Sequence, residues 1–455
     1  MKKLSLINLA IILLLINTKS YSQWVELGGN NNSIFTFPLL NLASDSSNNI
    51  YATAGPNLNG RYYIAKYDGT NWSELGGTNT PHIWDNSLNC LSIDRRGNLY
   101  SGGNVYNSQP PKTGFKYLAK WDGIKWSEVG GLNVSNFNNT IRCVLANDTN
   151  DIYVGGLFTN GFNFGGNYYV AKFDGANWSE LGGNFTSTFN APINTIVSDA
   201  NGNVYVGGNF GNTNNKCYVA KFNGNSWTEL GGTNNSNFNG QIRKLIIGNN
   251  GHIFAVGDFT NLNGYNYVAE WDGISWNEVG GLNNSTFSYS ILNILNYDGD
   301  LYLCGGFTNS TGNYFIAKWD GFTWSTVGVT SGSLINNSTY DIILDASGNM
   351  YTSGVITNPS GYFCVAVYTN LTSINEPIVN NSIVFPNPTN DELNIQVETS
   401  VIGSTYQLTD ITGRHITTGL ITEEKSRISL QGLSSGTYLL SIGDQIRKTL
   451  KVVKE

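Results

Sequence analysis

The sequence is poor in the residues on which much enzyme chemistry depends. Its 455 residues include only three histidines, His82, His252 and His415. A Ser-His-Asp arrangement in the repeats described below would have to use His82 or His252, and neither lies in a recognisable nucleophile motif. A copper oxidase centre would need several histidine and tyrosine ligands. We therefore expect no catalytic residue, metal site or cofactor, and we expect the protein not to be an enzyme.

Charge is scarce as well. Only 13% of the residues are Asp, Glu, Lys or Arg, and the formal net charge is −7. No Lys/Arg cluster supplies the electrostatic attraction that nucleic-acid binding needs. After the first 22 residues no stretch reaches 18 apolar residues, so no transmembrane segment is expected in the mature protein.

The N-terminal residues resemble a secretory signal peptide in their order. Lys2-Lys3 precede an apolar run from Leu4 to Ile16, and Ser20-Tyr21-Ser22 fits a small-x-small cleavage site. The apolar run is too short for a comfortable membrane span. We predict a signal peptide over residues 1–22 and an exported mature protein.

The five cysteines give no disulfide framework. They are Cys90, Cys143, Cys217, Cys304 and Cys364, an odd number. Each lies in an apolar strand-like segment. Cys90 and Cys143 occupy related positions in neighbouring repeats, so a disulfide between them is one alternative, and small buried hydrophobic side chains are the favoured one.

What the sequence has in abundance is one repeated cassette. Residues 169–183 read YVAKFDGANWSELGG, and close variants recur through the first 370 residues. A period of about 50 residues indicates a solenoid or a propeller. Within the cassette, Asp-Gly joins two short β-rich segments, which predicts a β-hairpin. The cassette tryptophans are Trp24, Trp72, Trp126, Trp178, Trp227, Trp276 and Trp324.

Each full repeat predicts four strands. An inner apolar strand leads into an Asp-x-x-Gly-Asn turn, such as DANGN from Asp199, then a second strand that ends in Gly-Gly, a variable loop and the cassette hairpin. Asp hydrogen-bonding to its own backbone and Gly at positive φ explain the turn. Calcium binding is the alternative, although the turn lacks the dense carboxylates of a calcium loop.

Half-repeats at the two ends of the array complement each other. QWVELGG at residues 23–29 is a last strand without its partner, whereas the seventh unit reaches Tyr368 without a following DGxxW strand. Pairing the two would close a ring and remove the exposed edges of an open array. We predict an all-β protein with a seven-bladed β-propeller over residues 23–371, closed by the N-terminal strand. An open β-solenoid is the alternative.

A second, small Ig-like β-sandwich is expected over residues 382–455, after a linker at residues 372–381. Its expected strands lie at residues 383–385, 393–397, 406–408, 428–430, 438–442 and 449–453. This segment resembles the type A C-terminal sorting domain of type IX secretion. The likeness is carried by Phe385-Pro386-Asn387-Pro388, Leu393-Asn394-Ile395, Asp410 with Gly413-Arg414, LSSGTY with Gly436, and Lys448, Lys451 and Lys454.

The resemblance implies partners and a location. Domains of this family direct cargo through the type IX secretion machinery and are removed by a sortase-like protease. The product would be secreted or attached to the outer-membrane surface. The repeats in turn resemble bacterial propeller arrays with YVGGxFT and VAKWDGxxW motifs, which supports the fold and not an activity.

Repeated polar and aromatic residues are expected to be architectural. The cassette glutamates, such as Glu180, recur around the ring, whereas an active site needs one asymmetric set; a paired-carboxylate glycosidase nevertheless stays open. The cassette tryptophans should pack between blades. A second aromatic series allows two interpretations, hydrophobic plugs under the loops or a ring of sugar-stacking platforms. Its candidate binding residues are Phe137, Phe189, Phe238 and Phe287.

Differences between units are the better guide to a site. The second unit has Pro81-His82-Ile83-Trp84-Asp85 in place of the repeated Phe segment, and an enlarged loop at residues 107–112. We therefore name His82, Trp84 and Asp85 as candidate binding residues. The expected function is a secreted or cell-surface binding module for polysaccharide or a surface protein. A carbohydrate-active enzyme, either a glycosidase or a lyase, and a structural or adhesive surface protein are the alternatives.

Overall fold

A computed structural model of the chain describes residues 23–29, 33, 35–57, 60–76, 87–105, 114–131, 135, 137–146, 151–161, 165–328, 333–369, 383–397, 402–410, 414–442 and 448–455. The chain forms two compact units, and the first extends over Tyr21–Asn370. The predicted signal peptide and linker lie outside the described residues.

The described residues of the first unit form 28 strands, β1 to β28. The strands of its N-terminal half are β1 (Gln23–Glu26), β2 (Leu42–Ser44), β3 (Ile50–Ala54), β4 (Tyr63–Tyr67), β5 (Trp72–Glu74), β6 (Leu88–Ile93), β7 (Leu99–Gly103), β8 (Ala119–Trp121), β9 (Trp126–Glu128), β10 (Ile141–Ala146), β11 (Ile152–Gly156), β12 (Ala171–Phe173) and β13 (Trp178–Glu180). Those of its C-terminal half are β14 (Ile193–Ser198), β15 (Val204–Gly208), β16 (Ala220–Phe222), β17 (Trp227–Glu229), β18 (Ile242–Ile247), β19 (Ile253–Gly257), β20 (Ala269–Trp271), β21 (Trp276–Glu278), β22 (Ile291–Tyr297), β23 (Asp300–Gly305), β24 (Ala317–Trp319), β25 (Trp324–Thr326), β26 (Thr339–Leu344), β27 (Met350–Gly354) and β28 (Ala366–Thr369).

These strands form seven antiparallel sheets of four strands each. Blades 1 to 6 follow the chain, from β2-β3-β4-β5 to β22-β23-β24-β25. The innermost strand of every blade contacts that of the next blade, and β26 contacts β2. The predicted seven-bladed propeller is thereby confirmed.

Blade 7 is completed by the first strand of the unit. Its order is β1-β28-β27-β26, and the register pairs Trp24 with Tyr368 and Glu26 with Ala366. The Trp24 indole is buried and donates a hydrogen bond to the Val327 carbonyl of blade 6 at 3.1 Å. The closure expected from the half-repeats is confirmed, and the open solenoid is excluded.

Turn chemistry fixes the strand connections as expected. In the Asp199 turn, one carboxylate oxygen accepts the Asn201 and Asn203 amide protons and the other accepts Asn203 Nδ2 and the Tyr205 hydroxyl. Gly202 follows with φ +80°, a conformation that glycine adopts without strain. Protein donors thus saturate this carboxylate without any ion.

Tryptophans join blades 2, 3 and 4 to the blade that precedes each of them. Trp126, Trp178 and Trp227 each donate an indole hydrogen bond to a carbonyl at the outer edge of the preceding blade, at 3.2 to 3.3 Å. Their rings lie in hydrophobic clusters that combine two neighbouring blades. The expected packing between blades is confirmed.

The second unit has two sheets. Its strands are β29 (Ile383–Phe385), β30 (Glu392–Gln396), β31 (Thr405–Asp410), β32 (His415–Leu420), β33 (Lys425–Ser429), β34 (Gly436–Ile442) and β35 (Lys448–Lys454). Three strands pair in the order β29-β30-β33 and four in the order β32-β31-β34-β35. Their buried side chains form one core, as expected for a sandwich.

Strand β32 was not predicted. Its sequence, HITTGL, has no apolar alternation, because none of its side chains is buried. It forms by pairing with β31, a backbone contact that side-chain patterning does not reveal. Sequence periodicity therefore gave six of the seven strands.

All five cysteines are free thiols, and four are buried. The alternative of a Cys90–Cys143 disulfide is therefore wrong. Burial raises the pKa of Cys90 to about 12, as expected for a thiol in an apolar setting. Across the described residues, no helix is long and apolar enough to cross a membrane.

Candidate functional site

Strand order places two sets of loops on one face of the propeller. Because the four strands of a blade alternate in direction, the blade-to-blade connections and the loops between second and third strands lie at the same end. We call this end the connection face. His82, Trp84 and Asp85 belong to one of these connections but lie outside the described residues, so their role stays a prediction.

The aromatic platform interpretation is wrong for the four repeated phenylalanines. Phe137, Phe189, Phe238 and Phe287 are only 1 to 5% exposed. Each ring meets a cassette tryptophan edge to face, with ring centroids 5.0 to 5.1 Å apart. Since a stacking platform needs an open ring face, these side chains are hydrophobic plugs, the other interpretation that the sequence allowed.

The repeated glutamates are architectural. Glu180 accepts hydrogen bonds from the amides of Phe185 and Ser187 at 2.9 and 2.8 Å, and Glu229 and Glu278 repeat this pattern. These contacts hold the blade-to-blade connection against its own blade. A ligand would have to compete with the backbone for the same oxygens.

The propeller axis is a cavity of about 1010 Å³. Its wall comes from the innermost strand of all seven blades, β2, β6, β10, β14, β18, β22 and β26. We call this cavity the central channel. A concave space of this size, lined by polar and apolar side chains, is a candidate ligand site.

A β-bulge in six of the blades shapes the channel at the connection face. The pairing register shifts after the first residue of the inner strand, for example between Ile141 and Cys143, so that Arg142 is the extra residue. Gly156 lies opposite, and a Cβ there would be 2.2 Å from the Thr140 carbonyl oxygen. The glycine at the end of this second strand is thus required by the bulge.

The seven residues at this position form what we call the mouth ring. They are Leu40, Asn89, Arg142, Asn194, Arg243, Leu292 and Tyr340 in blades 1 to 7, and all of them line the channel. Blades 2 to 5 contribute polar or cationic side chains. Blades 6, 7 and 1, which are consecutive around the ring, contribute apolar and aromatic ones. The scaffold is regular, but its opening has two chemically different sides.

The polar side is held together by hydrogen bonds. Arg142 Nη1 donates to Asn194 Oδ1 at 2.8 Å, and Asn194 Nδ2 donates to Gln241 Oε1 at 3.2 Å. Arg243 forms an ion pair with Asp258, with Nε–Oδ1 2.5 Å and Nη2–Oδ2 2.9 Å. Burial favours the neutral acid, but hydrogen bonds, that of Arg243 first among them, leave the pKa of Asp258 lowered.

The apolar side is accessible to solvent. Leu40 is 38% exposed, and two aromatic rings precede the mouth ring in the same blades, Phe37 at 46% and Tyr289 at 63% exposed. Tyr340 lines the channel between them, in blade 7. Exposed aromatic rings beside amide groups are suited to stacking on sugars and hydrogen bonding to their hydroxyls.

Deeper in the channel lie one lysine and one carboxylate. Lys244 follows Arg243 in β18, and Asp341 follows Tyr340 in β26. Asp341 accepts hydrogen bonds from the amides of Leu42 and Ile342 and from Asn293 Nδ2. Burial raises the pKa of Asp341, and the charge of Lys244 opposes that rise. Asp341 therefore joins three inner strands of the ring.

Two chemistries find no support in the channel. Of the described residues, no group of three His, Cys, Asp or Glu side chains could hold a metal ion. Asp341 is the one carboxylate among the described wall residues, whereas glycoside hydrolysis uses a pair.

Sequence reasoning missed the mouth ring. In blades 2 to 7 its position follows the first residue of the inner strand, and in blade 1 Leu40 lies shortly before β2. Side-chain types at this position differ between units, from Arg142 to Leu292. The same search for asymmetry that selected His82 could have found it by aligning the inner strands. The cassette is the more prominent sequence feature because it varies less between the seven units.

Another asymmetry, Glu270 in place of the cassette lysine, has a local explanation. In five blades the lysine lies over a tyrosine ring, as Lys221 lies 5.5 Å from the Tyr205 ring centroid. Blade 5 has Phe254 at the tyrosine position, and Glu270 instead contacts His252 Nδ1 at 2.7 Å. The change from lysine to Glu270 is therefore accompanied by a histidine partner in the same sheet.

The sorting-signal residues hold the first and last strands of the second unit together. Asn387, between Pro386 and Pro388, donates from Nδ2 to the Lys451 carbonyl at 2.6 Å and accepts the Val453 amide at 2.7 Å. Gly436 pairs with Lys454 between β34 and β35. Lys451 is exposed, Lys448 begins β35, and Gly413 lies outside the described residues.

Comparisons with known proteins give a family match for the second unit. Residues 383–455 match the family model described as a secretion system C-terminal sorting domain. The comparison with curated proteins gives no match. Among solved structures, similarity is found to PorZ of Porphyromonas gingivalis, described as an essential bacterial surface component of the type IX secretion system, at 14% identity and a TM-score of 0.48. The similarity covers 95% of this chain and 60% of the PorZ chain.

Two further structures show the same kind of likeness. YCF48 from Cyanidioschyzon merolae has 13% identity and a TM-score of 0.47, covering 78% of this chain and 100% of its own. The propeller domain of the Trilobed protease from Pyrococcus furiosus has 11% identity and a TM-score of 0.46, covering 75% and 99%.

The sheet order and the family match together identify the architecture. Seven four-stranded blades close around a channel, and the matched residues form a separate sandwich. A sorting domain of this family marks its protein for export. The chain is a seven-bladed β-propeller protein that carries a type IX secretion C-terminal sorting domain over residues 383–455, and this domain indicates export to the cell surface or secretion.

Proposed function

We propose that the exported propeller is a non-enzymatic binding module for polysaccharide, and that the ligand is bound at the mouth of the central channel. The observation that carries this proposal is the two-sided mouth ring. Its apolar side offers Tyr340 with Phe37 and Tyr289 nearby, and its polar side offers Arg142 and Asn194. Sugar rings need both an aromatic face and converging hydrogen-bonding groups.

Binding rather than turnover is favoured by the state of the channel carboxylate. Both oxygens of Asp341 are engaged by the ring itself, through Leu42, Ile342 and Asn293. A general acid or base must instead reach the reacting atoms of the substrate. A glycosidase would also require a second carboxylate at a defined separation.

The proposal is tested with the mature full-length protein on immobilised polysaccharides, including those extracted from bacterial envelopes. Tyr289→Ala and Tyr340→Ala should weaken retention, because aromatic stacking on planar ligand faces contributes about 1 kcal/mol or more per ring. The matched control is Tyr297→Ala. Tyr297 is also an exposed tyrosine, at the end of β22 on the opposite face of the propeller.

The outcomes separate the alternatives. Retention on a polysaccharide that falls in both mouth variants and not in Tyr297→Ala supports the proposal. Retention by no polysaccharide, with capture of an envelope protein instead, would favour the surface-protein ligand. Release of reducing ends or unsaturated products from any polysaccharide would replace the binding module with a glycosidase or a lyase.

A further inference from the structure

The charges of the channel wall do not balance. Three cations lie there, Arg142, Arg243 and Lys244. Asp258 neutralises Arg243 through two hydrogen bonds. Among the described residues, no carboxylate lies within ion-pair distance of Arg142 or of Lys244. The wall therefore carries two cations without a direct counter-charge.

Asp341 does not remove this excess. It acts on Lys244 at longer range, but its oxygens are committed to Leu42, Ile342 and Asn293. Arg142 lies on blade 3, where its neighbours are Asn194 and Arg243 rather than a carboxylate. Even with Asp341 ionised, the wall keeps one net positive charge.

The environment of Arg142 makes this excess of positive charge unfavourable. Burial lowers the pKa of the Arg142 guanidinium, and the charge of Arg243 acts in the same direction. Placing like charges together in a partly desolvated space is unfavourable unless an anion joins them. Asn194 fixes the guanidinium by its Nη1, which leaves the other donors of the group for a ligand.

The excess positive charge is confined to the channel wall. The whole protein carries a net charge of −7, so a polyanion gains nothing from the average field of the surface. An anionic group reaching the channel would meet a guanidinium fork, an ammonium group and the neighbouring amides of Asn89 and Gln241. Guanidinium forks bind carboxylate and sulfate-like oxyanions through paired hydrogen bonds.

We infer that the ligand is an acidic polysaccharide whose anionic group, a carboxylate or a sulfate ester, is bound inside the channel by Arg142 and Lys244. This inference rests on the proposed function and adds the chemical class of the ligand. The sugar ring contacts the apolar side of the mouth, and its anionic substituent points toward blades 3 and 5.

The experiment is affinity electrophoresis of the mature protein through gels that contain matched pairs of polymers. Dextran sulfate is compared with dextran, and polygalacturonate with its methyl ester, so that only the anionic group differs. Poly-L-glutamate tests an acidic peptide. Retardation by dextran sulfate identifies a sulfate ester as the group, whereas retardation by polygalacturonate identifies a carboxylate.

Variants assign the effect to the channel. Arg142→Met should weaken binding of the anionic polymer about ten- to hundred-fold, because a hydrogen-bonded charged contact is lost. Lys244→Met should weaken it in the same direction, and Arg142→Lys should retain part of it. Lys221→Met is the control, since it removes one positive charge from an outer strand over the Tyr205 ring. Melting temperatures verify that every variant is folded.

Each outcome has a meaning. Retardation by an anionic polymer and not by its neutral partner, reduced in Arg142→Met or Lys244→Met and unchanged in Lys221→Met, supports the inference. Equal retardation by dextran and dextran sulfate overturns it and leaves polysaccharide binding standing. Retardation by poly-L-glutamate as strong as by the sugars, or an equal loss in Lys221→Met, also overturns it. Retardation by none of the polymers overturns the inference, and retention on the immobilised polysaccharides then decides the proposed function separately.

Discussion

The Trp24→Ala substitution tests how the ring is closed. Trp24 is 2% exposed, its ring centroid lies 5.4 Å from that of Tyr368, and its indole donates to the Val327 carbonyl. Truncating a buried tryptophan to alanine typically costs about 3 to 5 kcal/mol. We expect the free energy of unfolding of the mature protein to fall by that amount.

The cost of closing the ring makes strand β1 sensitive to this loss. Pairing Trp24 with Tyr368 joins positions 368 − 24 = 344 residues apart, which costs about 5 kcal/mol of chain entropy. Trp24→Ala removes a stabilisation of similar size. Strand β1 should therefore separate from β28 before the rest of the ring unfolds.

Two measurements check this prediction. Urea unfolding followed by circular dichroism gives the loss of stability, and hydrogen exchange should accelerate first at residues 23–26 and 366–369. Trp324→Ala is the control, because Trp324 is only partly buried and its indole nitrogen lacks a hydrogen-bond partner in the described structure. A loss no larger than that of the control, or unchanged exchange in β1 and β28, would refute the closure argument.

Two further substitutions address the bulges and the tyrosines. Gly156→Ala should destabilise the propeller by about 1 to 3 kcal/mol, because the new Cβ would lie 2.2 Å from the Thr140 carbonyl oxygen. Gly211→Ala is the control and should cost little stability, since its Cβ would make ordinary contacts at 3.5 Å. Equal melting temperatures of the two variants would contradict this prediction. Burial and the Asp199 hydrogen bond raise the pKa of Tyr205 to about 12, above its unfolded value near 10. That contribution is complete below pH 10 and is lost as the pH rises toward 12. Tyr205→Phe should therefore show a smaller fall in melting temperature over this interval, and an identical fall would count against it.

Several features of the fold follow from the sequence because they are local or periodic. The Asp-Gly hairpins and Asp-x-x-Gly-Asn turns are specified by residues that lie next to each other, as Asp199 and Asn203 do. The repeat of the cassette gave the number of blades. The half-repeats at residues 23–29 and 363–368 gave the closure, because each lacks what the other supplies.

Burial was harder to predict. Phe137 lies in a polar segment and looked able to serve as a surface platform, yet Trp178 covers its ring edge to face in the folded blade. Strand β32 likewise has no apolar pattern and forms through backbone pairing with β31. Neither the burial of Phe137 nor the formation of β32 can be predicted from the neighbouring residues, since each depends on a partner that lies elsewhere in the chain.

The sequence by itself determined the ring, its closing strand and the export domain, since periodicity, complementary half-repeats and a compact motif set carry that information along the chain. Only the tertiary structure decided where a ligand could bind. Arg142, Lys244 and Tyr340 belong to three different blades, and the sequence of a single repeat does not show that they line the same channel. They line one channel because the closed ring brings the inner strands of all seven blades around a common axis.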